Sequence, residues 1–204
     1  MENLIEFYGK AKDIVVDSGY SWEIEWQESR NQEKISESEY LREYAWVILC
    51  SGFRESTIRK IFDSISLCFC DWESSEEIVR NEIVCKETAL KVFGNKRKID
   101  AIIKMSQILA EMGFSTLREN LASNPKSTLI AFPYIGEITY QHLLKNLGFE
   151  IAKSDRHLVK LASDLGVDSV ADMCSSISKK TGESVNIIDI VLWRYMTLRP
   201  LLNI

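Results

Sequence analysis

Proline, histidine and closely spaced cysteine are scarce in this chain, and each shortage excludes something. Its 204 residues include three prolines, two histidines and five cysteines. Pro125, Pro133 and Pro200 are the only prolines, so few points along the chain disfavour a helix interior. No Cys-x-x-Cys pair exists, and His142 and His157 stand alone. A structural zinc site or a cysteine-held iron–sulfur cluster would need tighter grouping. Cys68 and Cys70 form the only close pair. Cys50, Cys68, Cys70, Cys85 and Cys174 therefore read as small buried hydrophobes in a reducing compartment. No apolar run approaches the roughly 20 residues that a membrane helix needs, so no membrane partner is expected. The opening Met-Glu-Asn-Leu-Ile-Glu is acidic, which argues against a secretory signal or an Arg-rich transit peptide. No internal repeat or low-complexity linker interrupts the chain.

What is present is ordinary globular composition with uneven charge. Hydrophobic residues make up 46% and charged residues 27%, which excludes a disordered chain. The length suits one large domain or two small lobes sharing a core. The formal net charge is −5, but residues 1–43 hold 11 acids and 5 bases, while the rest hold 19 acids and 20 bases. Basic residues gather at Arg54, Arg59 and Lys60, at Lys96, Arg97 and Lys98, and at Lys145, Lys153, Arg156 and Lys160. Solvated helix faces are the simpler reading on charge alone. Phosphate contacts on a surface that the acidic segment leaves uncovered are the functional one.

Helical periodicity dominates. Ile99, Ile102, Ile103, Leu109 and Ala110 share one face of a predicted helix over about 98–112, closed by Gly113. Leu158, Leu161, Ala162 and Leu165 repeat the pattern before Gly166. Ile188, Val191, Leu192 and Tyr195 repeat it again, with Pro200 beyond. Earlier helices are predicted over 2–16, 39–50, 56–66 and 76–93. A short strand over 21–26 is the sole hint of period two. The expectation is an all-α fold of about ten helices.

The stretch from Ser127 to Gly148 carries the most information. A short apolar helix leads into Phe132-Pro133-Tyr134-Ile135-Gly136, and a second helix begins near Glu137. Gly136 lets backbone approach a ligand closely. The new helix offers unpaired N–H groups and its positive dipole end, a backbone anion site suited to a nucleic-acid phosphate. Seven residues past Gly148 stands Asp155, in Ala-Lys-Ser-Asp-Arg-His. By itself Asp155 reads as a helix N-cap.

Together these residues resemble the helix-hairpin-helix DNA glycosylase superfamily. Its pattern is a Leu-Pro-Gly-Val-Gly-x-x-Thr-Ala hairpin, followed after a helix and loop by Val-Asp-Thr-His and an apolar run ending in Leu-Gly. Here the match reads Phe132-Pro133-Tyr134-Ile135-Gly136-Glu137-Ile138-Thr139, then Ser154-Asp155-Arg156-His157, then Leu161 to Leu165-Gly166. Upstream, residues 48–56 resemble the helix end whose following loop enters DNA, and residues 98–104 the helix preceding the hairpin. The resemblance covers about residues 40–166. Two departures matter. Tyr134 stands where the family has the first hairpin glycine. Ile138 stands where lyase-type members carry their catalytic lysine, so the usual Schiff base cannot form. The iron–sulfur cysteines are missing too.

The resemblance implies a two-lobed, all-α helical bundle with its active site between the lobes. One glycosylase-like unit over 1–204 is expected, with a helical lobe over 36–122 and the hairpin and Asp155 over 123–166. Residues 1–35 and 167–204 are expected to pack across them. The implied activity is that of a monofunctional glycosylase of base excision repair, using water as nucleophile and no catalytic cofactor. Its partner would be double-stranded DNA with a damaged or modified base, an alkylated purine such as 3-methyladenine being the first guess. Asp155 would be the catalytic carboxylate. Tyr134, Gly136, Ile138 and Thr139 would hold the DNA backbone. Carbonyls of Ile130, Phe132 and Ile135 would ligate Na+ or K+, and Phe53 and Arg54 would fill the gap left by the flipped base. Trp22, Trp26, Trp46, Tyr134, Asp189 and Trp193 are the base-pocket candidates. Most of the aromatics serve equally as core, Trp22 and Trp26 can simply dock the N-terminus, and Asp189 fits a solvated helix face. Lys145 or Lys153 as a replacement amine, away from the family position, gives a glycosylase/lyase as the alternative. A non-enzymatic hairpin module, with Asp155 only a cap, is the third reading. A monomer is the default, in the cytoplasm (nucleoid) of a prokaryote or the nucleus of a eukaryote.

Overall fold

The computed structural model describes residues 2–202. Among them are thirteen α-helices and two short 3-10 turns, with no strand. The chain divides into two compact units, one of residues 1–32 and 144–204, the other of 33–143.

In the first unit, α1 (Glu2–Asp17), α2 (Ser21–Glu28), α11 (Arg156–Asp164) and α12 (Val170–Thr181) all pack on α13 (Val185–Leu202), and α12 also meets α1 and α11. Leu4, Tyr8, Ala11 and Val15 give α1 its buried stripe. Ile188, Val191 and Leu192 of α13 are wholly buried beneath it, with Leu158, Leu161 and Ala162 of α11 in the same core. Ser169 caps α12 by accepting the Asp172 N–H at 3.0 Å, and Gly182 ends it in the left-handed conformation.

The second unit is built on α7 (Lys96–Met112), against which α3 (Glu37–Cys50), α5 (Ser75–Arg80), α6 (Glu82–Val92) and α8 (Phe114–Ser123) pack. α4 (Glu55–Cys68) lies on α3 and α6. A capping box of Ser36 and Glu39 starts α3. Tyr40 and Tyr44 of α3 meet the Phe132 ring at centroid distances of 6.3 and 6.5 Å. The Tyr44 hydroxyl also donates to the Pro133 carbonyl. These contacts fix the turn between α9 (Pro125–Ile130) and α10 (Glu137–Asn146).

Several sequence expectations need correction. Residues 21–26 form the start of α2, not a strand; Ile24 and Gln27 supply its buried side. The helix predicted over 76–93 breaks at Asn81, whose side-chain amide donates to the Glu77 carbonyl and so ends α5. That break and the separate α8 and α9 raise the count above ten. Pro200 lies inside the last turn of α13, where its missing N–H costs only one helical bond. Of the five cysteines, only Cys85 and Cys174 are buried. The division also differs from the lobes expected. The turn over 131–136 belongs with residues 33–130, and the chain changes unit inside α10, at Leu144.

Candidate functional site

The hairpin turn is formed as the sequence requires, with one strained residue. Tyr134 takes φ +65° at the position where the family pattern has glycine, and its ring stays 44% exposed. The Gly136 N–H donates to Thr139 Oγ1 at 2.6 Å, and Thr139 Oγ1 donates to the Gly136 carbonyl at 3.1 Å. Thr139 thus occupies the very amide expected to face a phosphate. The first helical bond of α10 is Tyr140 N–H to Gly136 O at 2.9 Å, so the amides of 137–139 are the ones a helix start leaves without a helical acceptor. Glu137, in that first turn, pairs with Lys126 at 3.0 Å. Ile138 and Ile130 are exposed, whereas Phe132 and Ile135 are buried.

The loop before α4 belongs to the same unit. Phe53 is 44% exposed and meets Phe93 edge-on at 5.2 Å. Arg54 is exposed beside it, at the N-cap of α4. Phe53, Phe93, Gly94, Asn95, Lys96 and Arg97 line a shallow open groove. Trp46, a pocket candidate, packs edge-on against Phe62 at 5.0 Å with Arg59 over its other side, which makes it part of the α3–α4 packing. Lys98 is not a surface base: it is 2% exposed, and burial pushes its amine down to about 8.

The first unit holds a polar cluster around Asp155. Asp155 is the N-cap of α11, its Oδ1 accepting the N–H groups of His157 at 2.9 Å and Leu158 at 3.1 Å. Its Oδ2 faces Lys153 Nζ at 3.1 Å. Both side chains are mostly covered, at 11% exposed for Lys153 and 14% for Asp155. The loop carrying them is tied down by Asp189, whose Oδ1 accepts the Lys153 N–H at 2.6 Å. Asp189 is not on a solvated face. It and Lys145 are 1% and 3% exposed, with Lys145 Nζ 3.6 Å from Asp189 Oδ2. Lys145 Nζ also donates to Gln27 Oε1 at 3.4 Å, and Gln27 Nε2 donates back to the Lys145 carbonyl at 2.9 Å. Burial pushes the Lys145 amine below the usual lysine range and the Asp189 carboxyl above the usual carboxylate range, while their mutual attraction opposes both.

Trp193 sits beside this cluster. Lys153 Nζ lies 5.4 Å from its centroid and the Arg194 guanidinium 4.9 Å. Arg194 also makes a buried pair with Glu23, Arg194 Nε donating to Glu23 Oε2 at 2.8 Å. Trp26 lies under Arg30 at 4.6 Å, and Trp22 is exposed. The structure thus joins Asp155, Lys153, Asp189 and Trp193, and leaves Trp46 in a different unit. Lys145, Gln27, Glu23, Arg194 and Lys98 are interior polar residues that sequence reasoning missed as such. One signal existed for two of the pairs: between Val185 and Leu198 of a helix apolar nearly all round, Asp189 and Arg194 are the only charges. Charges on such a helix are interior and need partners.

No protein-family model matches the sequence, and no curated protein matches it. Among solved structures, the fold is similar to that of an 8-oxoguanine glycosylase/lyase from Methanocaldococcus jannaschii, crystallised with a 15mer DNA containing 8-oxoguanine. The TM-score is 0.64 and the identity 17%, over 97% of this chain and 98% of that one. At that identity the likeness is one of fold, and it extends over nearly the whole of both chains.

Proposed function

We propose that this protein is a DNA glycosylase that hydrolyses the N-glycosidic bond of a damaged base, with Asp155 as its catalytic carboxylate. The observation that carries the reading is the setting of Asp155. A mostly covered carboxylate is fixed by two backbone N–H groups and one ammonium, in a chain whose fold is that of a DNA glycosylase/lyase. The target base must leave the stack before its bond can be reached. As that bond breaks, positive charge develops on the sugar, and a fixed anion lowers the barrier by charge stabilisation. Asp155 Oδ2 is the oxygen for this role, because Oδ1 is engaged by the α11 amides while Oδ2, among the described residues, meets only the Lys153 side chain, at 3.1 Å. It also serves to orient and deprotonate the attacking water.

Hydrolysis without a lyase step is the first reading, since Ile138 offers no amine. Lys153 supports a second one. Its Nζ is 3.1 Å from Asp155, whereas Lys145 is enclosed behind Asp189 and Gln27. In that reading Lys153 passes one proton to Asp155 and attacks the sugar C1′ as the free amine, the base departs carrying a proton, and opening of the C1′–O4′ bond gives the Schiff base that permits strand cleavage. An alkylated purine remains the first substrate to test. A positively charged base would, however, meet Lys153 and Arg194 already on Trp193, which supports a neutral oxidised purine as the second.

At the hairpin, carbonyls of Ile130, Phe132 and Ile135 are the donor class that suits an alkali cation, and Phe132 O keeps a lone pair beyond its 3.3 Å bond from Ile135 N–H. Such an ion would supply positive charge for a DNA phosphate.

The test is base release from duplexes that each carry one modified base, with wild type beside Asp155→Asn and Lys153→Met, split with and without alkali. Release by wild type, strand breaks only after alkali and loss in Asp155→Asn are expected. Breaks without alkali, together with a borohydride-trapped adduct absent from Lys153→Met, would move the assignment to the lyase. Full release by Asp155→Asn would overturn the mechanism.

A further inference from the structure

Lys98 is placed strangely for a lysine. It stands in the first turn of α7, its side chain buried, with two carbonyls and two aromatic rings as its neighbours. Nζ donates to Leu49 O at 2.8 Å and to Ser51 O, at the C-terminal end of α3. Burying an ammonium is costly, and a plain helix cap does not require it. The two rings suggest what it is for. Phe53 lies 4.5 Å from Nζ and Tyr134 5.9 Å, within cation–π range of one ammonium. One ring comes from the loop before α4 and the other from the hairpin turn, far apart in sequence. Both remain 44% exposed, so each keeps surface for a partner outside the chain. Tyr134 holds a left-handed backbone to present its ring there.

Resting on the reading of this protein as a DNA glycosylase, we propose that Lys98 is a positioning residue that locks Phe53 and Tyr134 into one DNA-facing unit. The two aromatics then engage a damaged duplex together, not independently. Moving either ring off the ammonium lets Nζ shift on its two carbonyl bonds and loosens the hold on the other ring.

The probe is a duplex with one tetrahydrofuran abasic site and 2-aminopurine opposite it, whose fluorescence reports filling of the gap. Affinity is measured for wild type, Phe53→Ala, Tyr134→Gly and the double variant, glycine being suited to φ +65°. The same cycle is run in Lys98→Met and Lys98→Arg backgrounds. With Lys98 present, the double variant is expected to lose at least ~5-fold less affinity than the product of the single losses, the low end of coupling between sites. In Lys98→Met the losses should multiply, and Lys98→Arg should restore the coupling. If Lys98→Met does not fold, Lys98→Gln, which still donates to the carbonyls without charge, takes its place with the same reading. Multiplying losses with Lys98 present, coupling that survives its removal, or a wild type that ignores the gap would each overturn the inference. Base release is not among the readouts. Coupling without release would overturn only the glycosylase reading, and release without coupling only this one.

Discussion

Removing the Lys145 ammonium should be among the most damaging single changes available to this fold, and the damage should depend on pH. Lys145 and Asp189 are 3% and 1% exposed, with Lys145 Nζ 3.6 Å from Asp189 Oδ2, and Lys153 adds a second, weaker attraction to the same carboxylate. Lys145→Met keeps most of the side-chain volume but strands a buried carboxylate. Breaking a buried pair in this way costs about 3–5 kcal/mol, a large part of the 5–15 kcal/mol that typically separates folded from unfolded chains. The Gln27–Lys145 bond to the main chain survives, since it uses the carbonyl. Burial already pushes the Asp189 carboxyl upward, and losing Lys145 pushes it further. The folded variant therefore holds a proton that the unfolded chain has released, from the ordinary carboxylate range up to the raised folded value. Through that window its stability falls as pH rises. Urea unfolding at pH 5 and pH 8 should show a deficit against wild type that is larger at pH 8. Adding Asp189→Asn should recover much of it, because asparagine still accepts the Lys153 N–H and carries no charge. A deficit under about 1 kcal/mol at pH 8, or one equal at both pH values, would refute the reasoning.

Asp155→Asn should cost no more than about 1 kcal/mol, since asparagine is as good an N-cap, while base release falls at least ~100-fold. Unfolding and release measured on one preparation separate cap from catalyst, and a loss of release no greater than the loss of folded protein would leave only a cap. Lys98, held near 8 by burial against an ordinary 10.5, stays an ammonium below 8 and gives up its proton on folding only between those two values. The cost of burying its charge is fully present below 8 and relieved as pH rises from there to 10.5. Wild type should therefore gain on Lys98→Met by up to roughly 3 kcal/mol across that interval; a flat difference in urea midpoints would contradict this. Gly148→Ala should destabilise by about 2–4 kcal/mol, because φ is +90° and a Cβ would lie 2.9 Å from backbone atoms of Arg30 and Asn31. A melting temperature within a degree of wild type would show that this close approach yields freely.

Much of this was legible in the sequence where local pattern decides local structure. The apolar spacing of α7, α11 and α13, the Gly136 turn and the N-cap at Asp155 each depend on residues within a few positions of one another. The break at Asn81 was not legible, because it depends on one side chain choosing a carbonyl four residues back over solvent. The α2 helix was hidden by alternating acids and aromatics, whose burial is set by α13 rather than by neighbours in sequence. Interior charge was the largest omission. Glu23 meets Arg194 across 171 residues of sequence, and no local pattern records that pairing. Lys98 and Lys145 looked like their surface neighbours Arg97 and Lys160 because composition does not distinguish a solvated base from a buried one.

Those interior charges bear on why Asp155 sits where it does. Apolar residues of similar volume commonly hold a fold as well as a buried ion pair does, and the wholly buried Met173, Cys174 and Ile177 of α12 show this unit packing by that means. The exceptions converge on one place. Asp189, balanced by Lys145, holds the main chain of Lys153 two residues before Asp155. Arg194, balanced by Glu23, shares the Trp193 ring with the Lys153 side chain, whose ammonium in turn faces Asp155. Two costly pairs thus grip the same short loop, one by its backbone and one through its lysine. In the proposed function this grip has a use, since a carboxylate beside developing charge must keep its position and electrostatic catalysis depends on groups already fixed before the reaction begins.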